Sequence, residues 1–411
     1  MPPILDAPGR HRSATGPRAG PFASVSPRSA VPLAWRNAVA DKRRLARSVS
    51  GIAFAVLLVL LELGFRNAFL DSALEVMRQF DGDLFLTSST KFRFGHREPF
   101  SWRQLHAARA VIGVASARPI YAAWVGSGWK NPQSHKIYDV QVLAFDPDQP
   151  VFLFPEVRAH IDELRQPDTA LADRRARSFL GTASAGTVTE LARRQIRIVG
   201  DISLGPDFTT DGTLIMSDRT FMKLFSSHRL ARGEHPDVEL GAVKLQPGFT
   251  TTEVQHALQL AMPAAISVLT PNELLTRETR FQSIVSPVGP IFTLGAAIGF
   301  IVGMTIIYQI LHSDLSDQLP QYATLKAMGY PDSYLVRVVL EQAACYGLIG
   351  FLPALALATL LYRLIGDIAL LPLRMTGGIV LGALALTLAM STLAALLAVR
   401  RLVAADPAQV F

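Results

Sequence analysis

The residue types that carry catalysis occur in this chain without the spacings that catalysis needs. Gly181 to Gly186 followed by Thr187 is the nearest approach to a phosphate-cradling loop, but it lacks the lysine that reaches the β and γ phosphates. The nine histidines show no HExxH pattern and no i, i+4 pairing, and no serine sits in GxSxG. The single Cys345 excludes a disulfide framework, a cysteine-based zinc site and a cluster held by several thiolates. No nucleophile, base or metal constellation remains, so no cofactor is expected in this chain and an enzyme is the least favoured class.

Two other features have chemistry of a different kind. Glu62 lies in an apolar stretch, where an acidic residue suggests a proton relay or substrate contact. Arg66 follows four residues later on the same helical face, and the spacing favours an ion pair near the end of a span. Between two long apolar runs, Pro320 is placed to start a short helix, with Tyr322, Leu325 and Met328 at a three-residue spacing. Gly329 is placed to close it before Pro331. Such an exposed apolar stripe suits docking into a groove on a soluble partner, or resting on a lipid interface.

The elements that hold these residues follow from composition. Half of the 411 residues are apolar and only 18% are charged, against about 25% in average soluble domains. The apolar residues are blocked into runs. Val288 to Leu311, Ala343 to Leu361 and Thr376 to Val399 carry no charge over 24, 19 and 24 residues. Crossing a hydrocarbon core of about 30 Å takes about 20 helical residues, and a further run from Ser48 reaches that length by including Glu62. The expected spans are 48–69, 288–311, 335–363 and 376–399, with a kink at Pro353 in the third.

Residues 1–30 read as a disordered basic tail and 31–47 as an amphipathic interfacial helix. Of the 40 basic and 33 acidic residues, nine and two lie before residue 48, leaving 31 of each. The net charge of +7 is therefore local, and nucleic acid is not needed as a partner. Lys42, Arg43, Arg44 and Arg47 before the first span, with Arg400 and Arg401 after the last, set a topology with both termini in the cytoplasm. Membrane lipid is their expected contact. Segment 312–334 then faces the cytoplasm, as does the 400–411 tail. Residues 70–285 form an inserted domain on the opposite side.

Within that domain the strand signals fall at 83–87, 119–125, 136–145, 195–199, 213–216 and 242–245. Helix signals fall at 102–111, 155–164, 219–225 and 252–262. A loop-like stretch near 165–190 divides two lobes. The expected fold is an α-helical membrane protein with four transmembrane helices and a mixed α/β extracytoplasmic domain inserted between the first and second.

The stretch Leu319-Pro320-Gln321-Tyr322-Ala323-Thr324-Leu325-Lys326-Ala327-Met328-Gly329-Tyr330 resembles the coupling helix of FtsX/MacB-type ABC transporter permeases. The ending Asp406-Pro407-Ala408 with Val410-Phe411 is similar to theirs. Gly64-Phe65 with Asp71-Ser72-Ala73, Trp129-Lys130-Asn131-Pro132, and Ala144-Phe145-Asp146-Pro147 followed by Pro150-Val151-Phe152 narrow the resemblance to DevC-type permeases. The resemblance implies an inner-membrane export permease without catalysis of its own, working as a homodimer. ATP and magnesium would be held by a separate DevA-like ABC ATPase, docked through Leu319, Pro320, Tyr322, Leu325, Lys326, Met328 and Gly329. A DevB-like membrane-fusion adaptor and a TolC-like outer-membrane protein would complete the machine, with movement transmitted mechanically rather than through a tunnel. Gln321 stands where the family leads one to expect an acidic residue. The same layout also serves FtsX-like signalling to a cell-wall hydrolase and lipoprotein-releasing permeases.

Overall fold

A computed structural model describes residues 42–124, 126–225 and 237–404. The tail, most of the expected interfacial helix and the Asp406 to Phe411 ending lie outside the described residues. Among the described residues, four helices are long and apolar enough to cross a membrane: α1 (Lys42–Arg78), α8 (Val288–Ala327), α9 (Asp332–Ala369) and α10 (Gly377–Ala404). A mixed α/β domain lies between the first and second, as expected.

The first helix is longer than the expected span at both ends. Residues 42–47 are its opening turns, continuous with the span, and it runs on to Arg78. At 1.5 Å per residue it is about 55 Å long, well beyond a hydrocarbon core. Its outer end is used as a domain element: Leu74, Val76 and Met77 are buried in a cluster with Phe85, Phe145, Phe152 and Leu274. Just beyond it, Asp81 sits 2.8 Å from Lys244 and 3.6 Å from Arg118. Burial alone would raise the Asp81 carboxyl, but these two cations outweigh it and hold the pKa below the ordinary range.

Among the described residues the domain forms one eleven-stranded sheet with a core on each face. Its strands are β1 (Leu84–Ser88), β2 (Val114–Ala123), β3 (Trp129–Lys130), β4 (Ile137–Tyr138), β5 (Gln141–Phe145), β6 (Thr169–Asp173), β7 (Val188–Leu191), β8 (Arg194–Ile202), β9 (Thr213–Ser217), β10 (Leu240–Leu245) and β11 (Ile266–Leu269). They are ordered β11-β1-β10-β2-β5-β9-β6-β8-β7-β3-β4. Pairing is antiparallel except for β5 with β9 and β6 with β8. The 165–190 stretch is not a loop between two lobes. It supplies β6, an interior strand bonded to both β8 and β9. All five of its residues are buried.

The domain helices are α2 (Trp102–Ala108), α3 (Pro155–Ala159), α4 (Ile161–Leu164), α5 (Asp218–Leu224), α6 (Thr251–Ala261) and α7 (Pro271–Arg280). Both α6 and α7 open on capping boxes, Thr250 with Glu253 and Thr270 with Glu273. The second, with Pro271 at the first helical position, fixes where the chain turns back toward the membrane helices. A π-helical turn, Phe281–Val285, joins α7 to α8.

In the four-helix bundle, α1 and α10 each pack on both α8 and α9, which face one another across the diagonal. Close approach of α1 to α8 depends on a glycine row. A side chain at Gly295 would meet the Glu62 carboxyl at 2.5 Å, and one at Gly303 would meet Ala55 at 3.1 Å and Met390 sulfur at 2.6 Å. This row also corrects an expectation. Glu62 and Arg66 form no ion pair among the described residues, because the space left by Gly295 takes the carboxyl into the helix contact.

Candidate functional site

The turn between α8 and α9 is where sequence placed the docking residues, and the structure redraws it. Pro320 does not start a separate helix: α8 continues through it to Ala327. A proline inside a helix costs about 3 kcal/mol, but Pro320 lies on the exposed side while Leu315 and Tyr322 are seated in the bundle core. Packing thus overrides local propensity. The expected exposed stripe is broken up accordingly. Tyr322 is buried, Leu325 packs against the core and Leu319 is half-buried. Met328 is 63% exposed.

What projects is the turn itself. Gly329 has φ +92°, the left-handed conformation that suits glycine at the residue after a helix end. Its N–H bonds to the Lys326 carbonyl at 3.0 Å and that of Tyr330 to the Leu325 carbonyl at 3.2 Å, the double bond pattern of a Schellman motif. Lys326 spans the turn to Asp332 at 3.1 Å, and the Tyr330 and Tyr334 rings lie 5.0 Å apart. The result is a stiff knuckle that presents Met328, Gly329 and Pro331. Gln321 and Thr324 are exposed beside it. Arg400 is exposed near the end of α10, Lys42, Arg43, Arg44 and Arg47 fall in the opening turns of α1, and Arg401 is in α10.

At about 1.5 Å per residue, α8 carries the knuckle about 60 Å to the α/β domain, where sequence reasoning identified nothing. There a loop over residues 89–98 clasps α7. Glu278 is buried and accepts hydrogen bonds from the Phe94 N–H at 2.7 Å and Gln282 Nε2 at 2.8 Å. Arg277 donates to the Ser89 carbonyl at 3.0 Å. The Phe92 ring lies 5.2 Å from Phe281 in the π-helical turn, with Arg93 over the same ring.

Lys91 anchors the loop from within. Its Nζ donates to Glu239 at 2.5 Å and to the His96 carbonyl at 2.6 Å, and it lies over the Phe94 and Trp124 rings. Both charged side chains are 3% exposed. Burial pushes the Lys91 ammonium down and the Glu239 and Glu278 carboxyls up, more than the Lys91–Glu239 pairing and the hydrogen bonds to Glu278 offset. Phe208, from the loop before β9, makes a second contact, its ring 5.1 Å from Phe69 of α1 and 6.3 Å from Phe292 of α8.

The domain also holds a cavity of about 490 Å³ beside Trp129, Asp173 and the 176–185 loop. Its buried carboxylate, Asp173, accepts from the backbone N–H groups of Arg175, Leu204 and Gly205 and so serves the turn rather than a reaction. No grouping of His, Cys, Asp and Glu that could hold a metal occurs among the described residues.

Knuckle, continuous α8 and clasp all fall in or against one matched stretch. Residues 277–407 match the family described as FtsX-like permease C-terminal. Over this stretch the C-terminal membrane helices are similar to an FtsX-like permease. The match begins at Arg277, in the clasped helix, and takes in the π-helical turn, α8, α9 and α10. A comparison with curated proteins gave no match.

Among solved structures, the periplasmic region of MacB from Actinobacillus actinomycetemcomitans is similar at 13% identity and a TM-score of 0.32. It covers 49% of this chain and 94% of its own. The extracellular domain of YknZ, an ABC-type transporter from Gram-positive bacteria, is similar at 11% identity and 0.27, covering 46% and 99%. A permease domain from Porphyromonas gingivalis is similar at 18% and 0.30, covering 48% and 99%.

Proposed function

We propose that this chain is the permease subunit of a DevC-type ABC export system within the FtsX/MacB family, sited in a bacterial inner membrane with both termini cytoplasmic. The observation that carries the reading is the FtsX-like permease match over a stretch in which one uninterrupted helix joins a projecting turn to the clasped edge of the α/β domain. A separate DevA-like ATPase docks at the Met328 knuckle, and its closure on ATP displaces α8. The displacement reaches the periplasmic domain through the π-helical turn and the 89–98 clasp. Two copies of the chain act together, and the domain works with a DevB-like adaptor and a TolC-like duct. This chain itself supplies no ATP chemistry.

Co-purification tests the assignment. Tagged full-length chain is expected to retain the ATPase encoded beside its gene and to hydrolyse ATP only when that subunit is present. Recovery of the chain with a division-type ATPase and a cell-wall hydrolase would transfer the assignment to the signalling class.

A further inference from the structure

The bundle is not apolar throughout. Near the knuckle end of α8, Asp314 is 3% exposed, and its Oδ2 accepts from the Tyr346 hydroxyl at 2.7 Å and Gln342 Nε2 at 3.1 Å, both on α9. Gln342 and Tyr346 are themselves buried and lie 3.4 Å from one another. These bonds cross the diagonal of the bundle, between two helices that otherwise touch sparsely.

We propose that Asp314 is a positioning residue, the pivot through which displacement of the Met328 knuckle becomes a tilt of α8. The inference rests on the export reading and adds a mechanism to it. Asp314 stands fourteen residues before Met328, about 21 Å along the helix. Between that point and the turn, α8 and α9 form a lever held at its far end by the knuckle's own hydrogen bonds. Without a tie at Asp314, a push on the knuckle would splay the two helices and be absorbed locally. Where packing alone is required, a leucine-sized apolar residue serves at least as well as a buried carboxylate. The carboxylate adds two directional bonds to one partner helix, which fix register and angle together.

The test uses the full chain in lipid nanodiscs, in a Cys345→Ala background, with spin labels at Ser316→Cys on α8 and Leu348→Cys on α9, both exposed positions near the level of Asp314, and dilution by unlabelled chain. The label-to-label distance distribution is expected to be narrow in the parent and in Asp314→Asn, which keeps an acceptor oxygen. It is expected to widen at least twofold in Asp314→Leu, which keeps the volume. Should that variant not fold, the pair Gln342→Met with Tyr346→Phe removes both donors and is expected to widen it equally. An unchanged width in either overturns the pivot.

In the complex with the ATPase, Asp314→Leu is expected to hydrolyse ATP while transport falls at least tenfold. Widening without that loss overturns the coupling role. A parent complex that does not transport refutes the export reading independently of Asp314.

Discussion

Replacing Met328 by Asp is expected to weaken binding of the partner ATPase about thirtyfold while leaving the chain folded. Met328 is 63% exposed at the tip of the knuckle and is not a member of the buried bundle core. A charge placed there must be desolvated at the centre of an interface, where a single anchoring residue is commonly worth about 2 kcal/mol or more. Leu325 behaves differently. It lies in the same recognised stretch but packs against the core formed by Leu335, Val339 and Tyr322. Leu325→Asp is expected to lower thermal stability and yield of the isolated chain, with the loss of binding following from the loss of structure. Titrating purified ATPase onto nanodisc-held variants, alongside their melting curves, separates the two. Equal binding by Met328→Asp and parent would remove the knuckle from the interface.

The largest stability effect is expected in the clasp. Lys91→Met leaves Glu239 buried at 3% exposure without its cation. Breaking a buried pair from one side costs about 3 to 5 kcal/mol, a large part of a domain's net stability. The double variant Lys91→Met with Glu239→Leu removes both charges together and is expected to recover most of the loss. Lys91 lies 5.7 Å from the centroid of the Trp124 ring, so the part of the tryptophan fluorescence change on denaturation that is lost in Trp124→Phe reports the clasp. A single variant as stable as the parent would show that the pair does not hold the loop. A folded double variant that no longer transports would show that the charges are needed for movement as well as for stability.

The spans were legible because uncharged runs of the required length have few alternative readings. Strands β2, β5, β8, β9 and β10 were legible for a similar reason, their β-branched or alternating residues carrying the signal. Strand β6 was not. Thr169–Asp173 reads TALAD, with a single large apolar residue, and so lacks the Val, Ile and Leu run that ordinarily marks a strand buried on both faces. Helix α7 did carry a signal, Thr270-Pro271 with Glu273 three residues after the cap, and it marked the helix start that the strand-rich context concealed.

The turn was legible in position, and the apolar stripe leading to it was wrong in orientation. The spacing of Tyr322, Leu325 and Met328 identifies one stretch of helix, but which side faces outward depends on Leu335 and Val339 of the following helix, which no local pattern reveals. Reading Pro320 as a helix start undervalued the packing of Leu315 and Tyr322 on either side of it. The Lys91–Glu239 and Glu278–Phe94 contacts join residues 148 and 184 positions apart, beyond the reach of motif or periodicity.

The central claim is that ATP-driven movement passes along α8 from the knuckle to the α/β domain. Spin labels at Ile112→Cys, an exposed position on the domain, would measure the separation of two copies in the reconstituted complex with Cys345→Ala. Adding a non-hydrolysable ATP analogue is expected to shift that separation in the parent and to leave it unshifted when the Met328 knuckle carries Asp. A transporting complex whose domains keep the same separation with and without nucleotide would contradict the account.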